Sequence, residues 1–333
     1  MVGPGAVHPA VLYRAADLER DAPASPPSAG SARKSFIRRR PDRTPFIRRT
    51  FQVAFILLNL WIGARFYFFV RHYESGGRTA WVDRPPGVEG WLPIAGLMNL
   101  KYTLLTGTVP DVHPAAMFLL AAFVAISLVA RKAFCSWLCP IGTLSEWLWQ
   151  GGGEIVGRSF QSPRWLDVPL RGLKYLLLGF FGYAVASMTV PDLHGFITSP
   201  YGLVADVKML NFFRRIGTTG AIVIAVLLIG SVFVKNLWCR YLCPYGALVG
   251  IVSLFSPARI RRDADACIDC AKCAKACPSL LPVDTATTVK SAECTRCLEC
   301  VAACPAQGAL RLSVGRSRAI PTWVVASAIA AIF

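Results

Sequence analysis

Four stretches of the chain run apolar with almost no polar interruption: Phe51–Val70, Ala115–Ala130, Gly172–Val190 and Gly217–Val234. Each approaches the roughly 20 residues that a helix needs to cross a bilayer. The pattern predicts four membrane-spanning helices. A last run, Ile320–Phe333, is only about 14 residues, or roughly 21 Å as a helix, and is expected to be a fifth span cut short. Between Arg261 and Arg311 the composition changes, and cysteines replace the long apolar runs.

Composition agrees with a membrane protein. Hydrophobic residues make up 54% of the 333 and charged residues only 17%, too little polar surface to cover a soluble core. The net charge of +17 does not indicate nucleic acid, because of where it sits. Lys34, Arg38, Arg39, Arg40, Arg43, Arg48 and Arg49 crowd just before the first apolar run, as on a cytoplasmic flank. Residues 1–33 are rich in Ala, Pro, Ser and Gly and read as a disordered leader, with no apolar stretch of a cleavable signal. Arg48-Arg-Thr-Phe51 faintly resembles a twin-arginine signal, a reading set aside because several spans follow. With the N-terminus inside, segments 71–114 and 191–216 fall outside, and 131–171 and everything after 235 fall inside. The inner segment carries Arg131, Lys132, Arg158, Arg164 and Arg171, and the outer one Lys208, Arg214 and Arg215. All 12 cysteines then face a reducing compartment, which favours metal-bound thiolates over disulfides.

Eight of those cysteines form two runs, Cys267-x₂-Cys270-x₂-Cys273-x₃-Cys277-Pro278 and Cys294-x₂-Cys297-x₂-Cys300-x₃-Cys304-Pro305. This is the two-cluster ferredoxin spacing, in which the fourth cysteine of each run ligates the other cluster. Cluster one is expected on Cys267, Cys270, Cys273 and Cys304, and cluster two on Cys294, Cys297, Cys300 and Cys277. Each proline is expected to end its loop and start a short helix from N1. Zinc also binds C-x₂-C pairs, but two full runs with both prolines argue for [4Fe–4S]. Lys272, Lys275 and Arg296 lie in these loops, either offsetting cluster charge or merely solvated.

The other four cysteines repeat a shorter motif: Phe134-Cys-Ser-Trp-Leu-Cys-Pro140 and Trp238-Cys-Arg-Tyr-Leu-Cys-Pro244. Upstream, "GLMNLK" at Gly96 echoes "GLVADVK" at Gly202, so two helical hairpins are expected, each ending inside in C-x₃-C-P. On a helix the cysteines of a pair share one face about 5–6 Å apart, too wide for an unstrained disulfide. The prolines suggest instead that Cys139 and Cys243 each cap a new helix, the thiolate facing its positive end. Three readings stand side by side for Cys135, Cys139, Cys239 and Cys243. They converge on a third cluster, they act as redox thiols or bind another soft metal such as Cu(I), or they are structural cysteines that dock the ferredoxin domain.

The "RRTFQ" start, "RPPGVEGWLPI" at Arg84–Ile94, the paired C-x₃-C-P motifs and the terminal double ferredoxin module resemble the membrane-bound polyferredoxin family. That family includes the quinol dehydrogenase membrane subunit of periplasmic nitrate reductase systems. The nitrous oxide reductase regulator and the cytochrome oxidase maturation ferredoxin are its relatives. The resemblance covers roughly residues 48–314. It implies a bacterial inner-membrane electron-transfer oxidoreductase component, exchanging electrons between the quinone pool and a redox protein partner, with quinol as substrate. The alternative it leaves is a maturation or regulatory factor that reduces a metal or thiol through the C-x₃-C-P cysteines.

Quinol oxidation releases protons and needs acceptors. Thr108-Val-Pro-Asp-Val-His113 and Thr189-Val-Pro-Asp-Leu-His194 sit at the outer ends of two spans, so Asp111, His113, Asp192 and His194 are the quinol-site candidates, expected to meet on one outer face. Arg65 within an apolar run has either a partner or an interfacial end. Trp137, Trp147, Trp149 and Trp238 read as an inner aromatic belt.

The expected architecture is thus an α-helical membrane protein with a small α+β ferredoxin-like domain. A basic leader covers 1–49, a membrane domain of two hairpins 50–258, the ferredoxin domain 259–314, and the start of a further helix 319–333.

Overall fold

The computed structural model describes residues 42–156, 163–315 and 318–321, with 324 and 327. Lys34, Arg38, Arg39 and Arg40 of the leader, Arg158, and most of the run Ile320–Phe333 lie outside the described residues.

Proline opens most of the helices, where its missing N–H costs nothing. The first apolar run lies in a 31-residue helix, Thr44–Glu74, with proline in its first turn. The second lies in Pro114–Ala130, the third in Arg164–Ser187 and the fourth in Thr218–Phe233. Among the described residues, Thr44–Glu74 alone is long and apolar enough to cross a membrane by itself. The number rises to 3 if each of two bent pairs is one span: Trp165–Ser187 with Val190–Ile197, bent by 106°, and Ala205–Arg214 with Thr218–Phe233, bent by 81°. The first bend has a local cause. Thr189 caps Val190–Ile197 in a reciprocal box with Asp192, and this starts a new helix in a new direction.

The segments expected as outer loops are structured. Residues 71–114 contain a 3₁₀ turn, Pro86–Trp91, and a helix, Pro93–Thr106, closed by left-handed Gly107. Residues 191–216 form three short helices ending with Ala205–Arg214. Large apolar side chains such as Leu60, Phe68, Phe180, Leu176, Ile222 and Ile229 are exposed on the long helices, as helices facing lipid require.

The two C-x₃-C-P copies are built alike. Each breaks a helix with the second cysteine's N–H bonded to the carbonyl five residues back, Cys139 to Phe134 and Cys243 to Trp238. A new helix then begins at the proline, Pro140–Val156 or Pro244–Ser253. Packing exchanges the halves. The helix after the first motif lies on Thr218–Phe233, which leads into the second motif, and Pro244–Ser253 lies on Pro114–Ala130, which leads into the first. Gly152 permits the first crossing, because a Cβ there would meet the Val232 carbonyl oxygen at 2.2 Å. This exchange brings the two motifs together.

The ferredoxin domain carries a 4-stranded antiparallel sheet in the order β2-β1-β3-β4. Its strands are β1 (Ala258–Arg262), β2 (Thr288–Val289), β3 (Leu310–Val314) and β4 (Arg318–Ala319). Ile260 faces Val289 on one side and Leu312 on the other, and all three are buried in the same core as Trp137 and the second cysteine run. Two short helices, Lys272–Ala276 and Glu299–Ala302, precede the prolines instead of following them. Each starts after a left-handed residue, Ala271 or Leu298, inside the cysteine loop, and Pro278 and Pro305 lie beyond its end. The expectation of a proline-started helix is corrected accordingly.

Candidate metal centres

Each ferredoxin run curls through two left-handed, non-glycine residues at matching positions: Asp269 and Ala271 about Cys270, Arg296 and Leu298 about Cys297. Such residues are costly and persist where the surroundings enforce them. Their effect is to turn successive amides to one side, forming a nest for an anionic group. Amide N–H groups of Ala274 and Glu299 reach the Cys273 and Cys297 sulfurs, and Leu281 N–H donates to Cys277 Sγ at 3.4 Å.

Two small cavities lie within the domain. One is lined by Cys267, Cys270, Cys273 and Cys304, the other by Cys277, Cys294, Cys297 and Cys300. In both, the fourth cysteine comes from the other run. Four thiols around each fit a [4Fe–4S] cluster, which such residues would hold as thiolates and which would supply one-electron chemistry. The surroundings differ. Cys270 is exposed, whereas Cys294, Cys297 and Cys300 are buried. Burial pushes the Cys273 thiol up to about 11 and raises Cys297 and Cys300 further, so these groups ionise only with positive charge beside them.

A third, much larger cavity of about 400 Å³ is lined by Cys135, Cys139, Cys239 and Cys243 together. Burial raises Cys135 and Cys239 strongly and Cys139 to about 11, and charge on neighbouring thiols adds to the effect on all three. Such thiols are poor free nucleophiles at neutral pH. Cys243 caps Pro244–Ser253, its Sγ accepting from Gly246 N–H at 3.2 Å, and Cys139 accepts from the Gly142 and Ile141 amides. Pro278, Ser279, Thr295 and Cys297 line both this cavity and the one around cluster two's cysteines. It is lined as well by Phe55, Leu58 and Ile62 of the first helix with Trp91 and Leu119. Among the described residues no three His, Cys, Asp or Glu side chains converge as ligands of a single ion do.

Charged side chains that sequence reading assigned to the membrane flank join the domains instead. Arg48 is buried, 4% exposed. It makes paired bonds of 2.7 and 2.6 Å to Glu146 and one of 2.7 Å to Glu299, in the loop of Cys297. Gln52 holds the same Glu146 and the Ser136 carbonyl. Lys174 donates to both oxygens of Glu293 at 2.6 and 2.5 Å, and Lys132 lies 3.8 Å away. Burial alone would raise Glu293, but Lys132 and Lys174 overcome it and hold the carboxyl at about 2. Arg131 bonds the Val289 and Ser291 carbonyls. The second motif is tied in parallel, with Arg240 and Tyr241 both donating to Asp167. A sequence signal existed, since with only 19 acidic residues in the chain a lone Glu146 in an apolar stretch requires a partner.

Trp137 is likewise not in a belt. It is fully buried, edge-on to Phe51 at 5.8 Å, with its indole N–H donated to the Arg296 carbonyl. Arg296 itself is buried and bonds Val129. Trp147, Trp149 and Trp238 are half-buried, and Lys235 lies over the Trp149 ring at 4.8 Å. Lys272 starts the short helix beside cluster one's cysteines and Lys275 lies in its last turn. Arg65 lies over the Trp61 ring at 5.2 Å.

The four quinol-site candidates fall into separate settings. His113 is buried, accepting from Arg84 at Nδ1 and donating from Nε2 to the Gly202 carbonyl. Arg84 also pairs with Glu89 and Asp206. Burial would raise Glu89, but His113 and Arg84 hold it below the usual carboxylate range. Asp111 is exposed, Asp192 is occupied in its capping box, and exposed His194 lies 6.0 Å from the Tyr102 ring. Helix Pro93–Thr106 separates the two groups, with Asn99 bonding Val112 and His113 and Lys101 bonding the carbonyls before Thr189.

The comparisons agree with the cysteine chemistry. The 4Fe-4S binding domain family matches residues 112–161 and 216–262, which contain the two C-x₃-C-P motifs, and the 4Fe-4S dicluster domain family matches 259–305. YccM of Escherichia coli K12, named for electron transport, is 55% identical over 272 residues, covering 82% of this chain and 76% of its own. The ferredoxin-type protein NapH of Haemophilus influenzae is 26% identical over 196 residues, 56% of this chain and 61% of its own. The regulatory protein NosR of Pseudomonas aeruginosa is 32% identical over 170 residues, 48% of this chain but only 22% of its own. No solved structure matches.

Proposed function

The chain, which matches 4Fe-4S domain families, belongs to the membrane-bound polyferredoxin family, whose members here are named as electron transport or ferredoxin-type proteins, and on that premise we propose that it passes electrons from membrane quinol to a redox protein partner through two [4Fe–4S] clusters. Cluster one would be held by Cys267, Cys270, Cys273 and Cys304, and cluster two by Cys277, Cys294, Cys297 and Cys300. The grouping of these cysteines around two cavities supports that pairing.

One observation carries the direction of the path. The large cavity is lined both by apolar side chains of the first helix and by Cys297, while Cys270 of the other set is exposed. Cys277, Cys294, Cys297 and Cys300 would therefore hold the cluster nearer the membrane side, and Cys267, Cys270, Cys273 and Cys304 the one nearer the partner. The clusters, when bound, would supply one-electron chemistry, so quinol would be oxidised to quinone in two one-electron steps with its two protons released to solvent. The quinol head would enter the cavity beside Phe55, Leu58 and Trp91, which line it. The chain lies in the bacterial inner membrane with four spans and a fifth beginning near residue 319, the ferredoxin domain on the cytoplasmic side.

The experiment is reduction of the clusters by a quinol analogue in membranes, read by EPR. Cluster signals that stay oxidised would remove quinol from the reading. His113→Asn separates the two positions: unchanged reduction agrees with the cavity, whereas its loss would move quinol to the outer face. A reporter fused after Arg311 is expected to be cytoplasmic, and a periplasmic one would invert the topology.

A further inference from the structure

We propose that Cys135, Cys139, Cys239 and Cys243 together hold a third [4Fe–4S] cluster, assembled from both halves of the membrane domain in the large cavity that shares wall residues with the cavity of cluster two. The inference rests on the proposed function only for the count of the other two clusters.

Three observations carry it. The four thiols line one cavity although the two motifs lie about a hundred residues apart, because each motif's following helix packs on the helix leading into the other. The two copies present their sulfurs in the same way. In each, the second cysteine closes a six-residue backbone turn and receives amide N–H donors from the start of the next helix, the arrangement that stabilises a cluster-bound thiolate. Finally, the same cavity contains polar groups with no partner of their own. Tyr245 Oη and Asn236 Oδ1 are buried without a hydrogen bond among the described residues, and both residues line the cavity. A buried hydroxyl without a partner is uncommon. Tyr245 is braced edge-on by Phe123 and Phe134 at 6.1 and 5.8 Å, and its hydroxyl would donate to a cluster sulfur.

The geometry also separates this reading from its rivals. A zinc or Cu(I) site draws its ligands to about 2.3 Å from one point, and among the described residues no three His, Cys, Asp or Glu side chains converge in that way. A purely structural role leaves the orphan Tyr245 hydroxyl unexplained. The position is useful: a centre here would share its wall residue Cys297 with cluster two and would supply one-electron chemistry beside it.

The test is a difference in metal content between two full-length chains purified without oxygen in detergent. The Cys135→Ser, Cys239→Ser double variant is expected to contain about four irons and four sulfides fewer than the parent, with the ferredoxin EPR signals retained. No difference would overturn the inference whatever the total, so its failure is distinct from failure of the ferredoxin or quinol readings. Copper or zinc in place of the missing iron, or a Cys135–Cys139 or Cys239–Cys243 disulfide under non-reducing alkylation, would overturn it as well. Tyr245→Phe guards against a variant that simply misfolds. It is expected to keep the parent's full iron content and to lower the reduction potential of one cluster only, since hydrogen bonds to cluster sulfur raise it. Full iron with all potentials unchanged would remove Tyr245 from a cluster and overturn the placement.

Discussion

The ferredoxin domain and the C-x₃-C-P pair use the same residue type under opposite constraints. In the first, eight cysteines lie within one short stretch, and left-handed residues at fixed offsets curl each loop around its own cavity. In the second, each copy contributes two thiols and the site exists only where two membrane halves exchange helices. A contiguous motif declares its cavity by spacing. A split one depends on every contact that holds the halves in register, so the two respond differently to the same kind of damage.

The largest expected effect breaks the shared wall. Cys297→Ser should remove about four irons and drop quinol-driven reduction of cluster one to background, with rapid-freeze EPR as the readout. Retained reduction would show that electrons bypass cluster two. Next comes the clamp between the regions. Arg48→Ala strands buried Glu146 and should cost about 3–5 kcal/mol, seen as a lower midpoint of thermal unfolding in detergent and faster proteolysis of the ferredoxin domain. Arg48→Lys, keeping the charge but losing the paired geometry with Glu146, should recover part of it.

A smaller effect sharpens the comparison between the two C-x₃-C-P copies. A Cβ at Gly142 would stand 2.1 Å from the Cys135 carbonyl oxygen, whereas at Gly246 the nearest atom is Cys243 Sγ at 3.5 Å. Gly142→Ala should therefore cost about 1–3 kcal/mol and lower the iron content, and Gly246→Ala should change stability by less than about 1 kcal/mol. Equal effects would mean that the copies are not braced as the packing indicates. Asp167→Asn, which weakens the tie to Arg240 and Tyr241 while leaving Arg48 intact, should cost about 1–3 kcal/mol and disturb the second motif before the first, read by cysteine accessibility of Cys239 against Cys135.

How much of this was legible beforehand follows from the range of the forces involved. The apolar runs fall inside helices, and the tight turns after Phe134 and Trp238 follow from prolines next to cysteines. Those are local effects of hydrogen bonding and sterics. The helices Pro93–Thr106 and Ala205–Arg214 escaped because each is too short to stand out as a membrane-length apolar run. Arg48 looked like a headgroup anchor because a basic flank has the same composition whether its side chains meet lipid phosphate or Glu146. Trp137 looked interfacial for the same reason, since the domain that buries it arrives from residues 258–314.

By itself, then, the sequence determined the chemistry available: thiolates in cubane spacing, two half sites, and apolar helices to carry them. Those features depend on residue type and on neighbours within a few positions. Only the tertiary structure decided that the four remaining thiols line one cavity, that this cavity touches Cys297, and that Arg48, Lys174 and Glu293 lock the domains together. Convergence of that kind is set by which helix packs on which, and packing is a property of surfaces brought together from distant parts of the chain.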